Sequence, residues 1–252
     1  MNALRERLLA GEMTEGLWLG FGEAYAAEIA ATAGFDWLLI DGEHGPNDLR
    51  SISAQLGVLW GRVPAVVRPA SHDPAVLKQL LDLGAQSLLI PMVETAEEAR
   101  ALVRATRYPP RGIRGMGSDM ARASLWTARK DYVTQAESEL LLLLQVETRA
   151  GLDALDAILA VEGVDGVFIG PADLAADMGL AGQGTHEGPA PQVRDAVLDA
   201  LARTERAGRI AGVFAAPEPF VQACRDAGAR FIGRGGDVVI FAQALRALAP
   251  KR

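Results

Sequence analysis

The sequence predicts an α/β fold, a closed (β/α)8 TIM barrel in which residues 1–252 form a single domain. Three observations predict it. The chain has 252 residues, close to the roughly 250 typical of one such barrel. Short apolar runs of strand length alternate eight times with longer segments of helical period, the pattern of repeated βα units. No linker or break in composition interrupts them.

The first strand is placed at 16–21, around Leu17, Trp18 and Leu19, and the second at 36–41, where Trp37 to Ile40 are unbroken. The third, 64–68, contains Val66 and Val67 and ends in Arg68; the fourth, 87–92, runs through Leu88, Leu89 and Ile90. The fifth, 140–147, opens with five leucines, and the sixth, 164–170, contains Val167, Phe168 and Ile169. The last two are placed at 209–215 and 229–233. Most lack polar alternation, as strands covered on both faces do. Helices are expected at 25–33, 48–59, 73–83, 96–107, 152–161, 192–207, 217–227 and 237–248. Gly34, Gly84, Gly208 and Gly228 stand where four of them should stop.

An open doubly wound sheet is the main alternative. Eight regular units, with no Gly-x-Gly-x-x-Gly turn after the first strand, count against it. One connection is out of proportion: residues 108–139, with "YPPRGIRGMG" and "ARASLW", exceed an ordinary loop. That segment is expected to be a lid or an oligomer contact.

Half of the residues are hydrophobic and 23% are charged, ample for a core. A net charge of -7 argues against a nucleic-acid surface and means that any anion site must be locally positive. One cysteine, Cys224, permits no internal disulfide; it falls in an apolar helix stripe as a small core residue. The first residues carry charges of both signs without an apolar stretch, and no run approaches the ~20 residues that span a bilayer. The expectation is a cytoplasmic, soluble protein with no membrane partner.

In such barrels the active site forms at the C-terminal ends of the strands. The second strand ends in Asp41, with Glu43 and His44 following; the third ends in Arg68; the fifth ends in Gln145-Val-Glu147; Asp173 follows the sixth. Glu147 and Asp173 come from neighbouring strands, so their oxygens can converge on Mg²⁺ or Mn²⁺, with waters and a substrate completing the sphere. The competing reading is that each carboxylate caps a backbone amide. Arg68 offers a planar fork for a carboxylate or enolate oxygen, or an internal salt bridge to Asp41 or Glu43, and both can hold. His44 suits general base work. His72 looks like part of a helix cap, and His186 like a solvated loop residue. Trp18, near the end of the first strand, walls the pocket or simply packs.

The chain's three lysines, Lys78, Lys130 and Lys251, all lie off the strands, so a Schiff-base amine is missing where it would be needed. "FIGRGGD" (231–237) could cradle a phosphate, but a tight turn into the last helix is preferred.

"AGFDWLLIDGEHGPND", "RYPPRGIRGMGS", "LQVET" and "VEGVDGVFIGPADLAADMG" closely resemble the HpcH/HpaI aldolases, metal-dependent pyruvate aldolases, over nearly the whole chain. The resemblance implies a phosphoenolpyruvate/pyruvate-type barrel whose last helix is exchanged between subunits of a homohexamer, a trimer of dimers. It implies a divalent cofactor, Mg²⁺ or Mn²⁺ with Co²⁺ also possible, held by Glu147 and Asp173. It makes His44 the proton acceptor, Asp82 the residue that raises its basicity, and Arg68 the transition-state stabiliser. Gln145 and the backbone at Ala172 become pyruvate contacts. The implied activity is reversible cleavage of a 4-hydroxy-2-oxo acid to pyruvate, or an analogue, and an aldehyde. The rivals are a CoA-thioester lyase of the same superfamily and a non-catalytic keto-acid-binding barrel. "VFAAPEP" and "FIGRGGD" depart from the family's usual versions, which leaves the aldehyde open.

Overall fold

The computed structural model describes residues 2–184 and 188–250; the expectation for His186 lies outside them. The chain runs α1 (Ala3–Leu9), β1 (Thr14–Leu19), α2 (Ala24–Ala30), β2 (Trp37–Asp41), α3 (Leu49–Leu59), β3 (Ala65–Arg68), α4 (Pro74–Asp82) and β4 (Ser87–Ile90). It continues α5 (Ala96–Thr106), α6 (Tyr132–Gln135), β5 (Leu141–Val146), α7 (Arg149–Asp153), α8 (Leu155–Leu159), β6 (Gly166–Ile169) and α9 (Pro171–Asp177). The last elements are α10 (Pro191–Arg206), β7 (Ile210–Phe214), α11 (Glu218–Asp226), β8 (Phe231–Gly236) and α12 (Asp237–Leu248). The eight strands close into a barrel in sequence order, each pairing in parallel with the next and β8 with β1.

The core has two layers. Between strands and helices lies an aliphatic shell that includes Leu38, Ile40, Val67, Leu88 and Leu144. Inside the barrel lies a second cluster rich in aromatic rings: Trp18, Trp37, Phe168 and Phe231. Trp37 stacks on Phe231 with centroids 3.8 Å apart, and Trp18 meets Phe214 edge-on at 5.2 Å. Such rings fit only because facing strand positions lack side chains. A Cβ at Gly16 would lie 2.1 Å from the Trp37 ring, and one at Gly233 would lie 2.2 Å from that of Trp18. Gly233 of "FIGRGGD" therefore serves packing. β8 runs on to Gly236 and α12 follows at once, so the expected tight turn is absent.

α1, which lacks a long apolar period, plugs the N-terminal end of the barrel with Leu4 and Leu8. Asn2 bonds to the Gln86 carbonyl and the Ser87 hydroxyl there, and Arg5 pairs with Asp165 at 2.8 Å. The long 108–139 segment joins α5 to β5, so it occupies this same N-terminal rim. It cannot be a lid over the C-terminal rim of its own chain. It is structured by short 3-10 turns at Ser118–Met120 and Arg122–Ser124 and by α6. It leaves Ile113, Met116, Met120 and Trp126 exposed.

α12 differs from the other long helices. None of its residues is buried, and Val238, Val239, Ile240, Phe241, Leu245 and Leu248 are exposed. No helix among the described residues is long and apolar enough to cross a membrane. Cys224 is fully buried, and burial pushes its thiol up to about 12, as suits an unreactive core residue.

Candidate active site

The last residues of β2 and β3 are register partners, which sets Asp41 beside Arg68. Asp41 takes the guanidinium side-on, Nε at 2.9 Å and Nη2 at 2.7 Å, while Nη1 lies 2.9 Å from Glu43 Oε2. Burial opposes ionisation of Asp41, but the Arg68 fork outweighs it and holds the carboxyl below the usual range. Burial likewise raises Glu43, and Arg68 offsets this only in part. Asp41 also accepts the backbone N–H groups of Glu43 (3.0 Å) and His44 (3.3 Å), folding the turn that presents His44. The imidazole is 67% exposed in the cleft, its Nε2 3.8 Å from Glu43 Oε2.

The rest of "DGEHGPND" is scaffold. Asn47 donates to the Asp41 carbonyl at 2.8 Å and is held from α3 by Gln55 at 2.6 Å. Asp48 forms a capping box with Ser51 at the start of that helix.

On β5, Gln145 points into the barrel mouth and Glu147 follows the strand's last residue. Glu147 accepts the Met92 N–H at 2.9 Å and a short hydrogen bond from Gln145 Nε2. Met92 adopts a left-handed backbone (φ 55°), a strained choice for a residue with a side chain, and thereby turns its N–H toward the carboxylate. On the other side, a Cβ at Gly170 would lie 2.4 Å from Glu147 Oε2, so only glycine lets the carboxylate sit there. Burial, helped by the charges of Asp173 and Glu43 and opposed by those two hydrogen bonds, pushes the Glu147 carboxyl up to about 7.

Asp173 follows β6 as expected and lies in the first turn of α9. Gly170 gives no side-chain cap to that helix, and Pro171 opens it. The amides of Ala172 and Asp173 therefore have no partner earlier in the helix.

The donor set suits a hard divalent cation. Glu147 is 1% exposed and forms no ion pair among the described residues. The adjacent Gln145 Oε1 is buried without a hydrogen-bond partner. No group of three or more His, Cys, Asp or Glu is placed to hold an ion among the described residues. The chain would thus supply two carboxylates and leave the other positions to water and ligand, a set typical of Mg²⁺ or Mn²⁺.

A cleft of about 750 Å³ opens over this floor, lined by Trp18, His44, Arg68, Gln145, Ala172 and Asp173 among others. Both readings of Trp18 hold: it lines the cleft, it packs in the aromatic core, and the Arg68 guanidinium lies 5.9 Å from its ring. Arg68 makes the expected salt bridges to Asp41 and Glu43 and also lines the cleft. The expected capping segment around His72 is present: Asp73 is the N-cap of α4 and donates its N–H to Ser71 Oγ, while His72 Nε2 contacts the Pro91 carbonyl.

Asp82 is not brought to His44 within one chain. It ends α4, at the opposite rim, and binds Arg114 at 2.7 Å. The acids beside His44 are Asp41 and Glu43. The sequence reading offered both as salt-bridge partners of Arg68, and both bridges form; the register of β2 and β3 makes Asp41 the residue that aims Arg68. Met92 and Gly170 carried no signal, because both act through backbone geometry.

Residues 14–244 match the HpcH/HpaI aldolase/citrate lyase family. The chain is 56% identical to a hydroxypyruvate/pyruvate aldolase of Roseovarius nubinhibens, over 97% of this chain and 94% of that one. It is 49% identical to a 4-hydroxy-2-oxo-heptane-1,7-dioate aldolase of Salmonella paratyphi C, over 99% and 94%. A crystal structure of a HpcH/HpaI aldolase/citrate lyase family protein from Burkholderia cenocepacia superposes with a TM-score of 0.91 at 38% identity, covering 98% of this chain and 97% of that one. Sequence, barrel and rim agree, and the chain belongs to the HpcH/HpaI aldolase/citrate lyase family.

Proposed function

We propose that the protein is a carbon–carbon lyase that reversibly cleaves 4-hydroxy-2-oxo acids to pyruvate, or a close analogue, and an aldehyde. The observation that carries this reading is the buried Glu147 carboxylate, which has Asp173 as a charged neighbour and no cationic partner among the described residues. Glu147 and Asp173 would hold a divalent cation, which supplies Lewis-acid polarisation of the donor's keto oxygen.

Gln145 and the free Ala172 amide would orient the donor carboxylate. In cleavage, His44 takes the proton of the C4 hydroxyl, the C3–C4 bond breaks, the aldehyde departs, and the electron pair moves into the pyruvate enolate. Arg68 faces the enolate oxygen as its charge grows, where fixed positive charge lowers the barrier most. Protonation of C3 then completes pyruvate. Asp41 aims Arg68 and folds the His44 turn. No Schiff base is needed: Lys78 lies on α4 and Lys130 in the 108–139 segment.

An Asp82 effect on His44 would have to cross between copies of the chain. The unpartnered apolar α12 and the exposed Met116, Met120 and Trp126 support a homo-oligomer, which we propose to be the hexamer of exchanged dimers. The reading is tested by pyruvate release from a 4-hydroxy-2-oxo acid after EDTA treatment and again with Mg²⁺ or Mn²⁺. Activity should vanish and return; indifference to EDTA would remove the cation from the account.

A further inference from the structure

We infer that His72 is a positioning residue for the cation site: from the loop after β3 it holds the Pro91–Met92 peptide in the orientation that lets the Met92 N–H grip Glu147. This inference rests on the reading of Glu147 as a cation ligand and adds the part that fixes it.

The two contacts belong to one peptide unit. His72 Nε2 meets the Pro91 carbonyl; a carbonyl only accepts, so Nε2 carries the proton. The N–H at the other end of that peptide, Met92's, donates to Glu147 Oε1 at 2.9 Å. In a trans peptide the C=O and N–H point in opposite directions, so His72 and Glu147 hold the plane from its two sides. The bond to the carbonyl also polarises the amide and strengthens its N–H as a donor. Glu147 Oε2 is held separately, by Gln145 Nε2, so the Met92 N–H is what fixes Oε1.

The hold is needed because the peptide is not at rest. Met92 has φ 55°, a region that a residue with a side chain occupies only when its surroundings impose it. Turning the Pro91–Met92 peptide over would return Met92 to negative φ, and it would replace the N–H facing Glu147 by a carbonyl oxygen. The Met92 side chain is 44% exposed, so its packing does little to prevent this. Beyond the peptide, the Val93 N–H donates to the Gln145 carbonyl at 3.0 Å and ties the chain to β5. His72, half-buried, is the group that holds the carbonyl end. All of these contacts lie within one chain, so the device does not depend on how copies assemble.

The experiment uses the full chain after EDTA treatment. Mn²⁺ affinity of the folded protein is measured by calorimetry, and stability by urea denaturation. His72→Phe keeps a ring and removes the donor; His72→Ala, which cannot crowd the loop, removes both; His72→Gln restores an N–H donor at similar reach. The expected result is a Kd for Mn²⁺ raised about tenfold in His72→Phe and His72→Ala, and within about twofold of wild type in His72→Gln.

Wild-type affinity in folded His72→Phe and His72→Ala would overturn the inference and reduce His72 to a loop tether, which alters stability alone. Equal weakening in all three variants would also overturn it, since the ring and not its donor would then matter. In both cases, wild-type binding that is lost in Glu147→Gln keeps the cation reading intact. Wild-type protein that binds no Mn²⁺, or Glu147→Gln that binds it equally, would overturn the cation reading and this inference with it.

Discussion

The two rims of the barrel hold their ionisable side chains in opposite ways. At the N-terminal rim the charges are paired: Arg5 with Asp165, Arg114 with Asp82, Arg129 with Glu139 and Arg107 with Glu137, all within 3.0 Å. At the C-terminal rim, Arg68 pairs with Asp41 and Glu43, whereas Glu147 and Asp173 form no ion pair among the described residues. One rim is neutralised and closes the fold. The other keeps an excess of negative charge that a cation would relieve, and so stores the capacity for chemistry.

The largest expected effect comes from removing the unrelieved charge. Glu147→Gln should lower pyruvate release by about a thousandfold, measured with saturating Mg²⁺, because the Lewis acid loses a ligand. The same substitution should stabilise the cation-free protein at pH 8, by about 2–3 kcal/mol in urea denaturation. The sign follows from the raised carboxyl. With a folded value of about 7 against an ordinary 4.5, ionisation costs stability fully above pH 7 and not at all below about 4.5. The gain should therefore fade as the pH drops through that window. Gln145 can turn its unpartnered Oε1 toward the new amide, so the replacement leaves no donors opposed.

Arg68→Ala should reduce turnover by about 10²–10³, with cation affinity changed by far less. Equal losses in both would mean a collapsed rim. Apparent Mn²⁺ affinity should fall by about tenfold per pH unit below pH 7, because Glu147 must release its proton to ligate, and level off above it. At the paired rim, Arg114→Ala strands Asp82 and should cost about 3 kcal/mol in urea denaturation, with Mn²⁺ affinity per folded chain unchanged.

The barrel was legible in the sequence because its strands are uniformly apolar and its helices end at glycines; seven of the eight strands overlap closely with their expected spans. β8 ran past its expected end because Gly233, Gly235 and Gly236 lack the side chains that mark a strand. α1 and α9 were not among the expected helices; each has only seven residues. Of the site, Arg68, Gln145, Glu147 and Asp173 were legible as polar groups ending apolar runs. Asp82 was legible as a helix-end residue, but its pairing with Arg114 was not, since that pairing joins α4 to a segment with no periodic pattern. The strained N–H of Met92 and the clearance at Gly170 are backbone effects without a side-chain signature.

The central claim is that Glu147 completes a cation site. Calorimetric titration of Mn²⁺ into the wild-type protein and into Glu147→Gln, at pH 6.5 in two buffers of different protonation enthalpy, tests it most directly. Saturable binding with proton release by the wild type, and loss of both in the variant, is the predicted result. Equal binding by the two proteins, or binding without proton release, would contradict it.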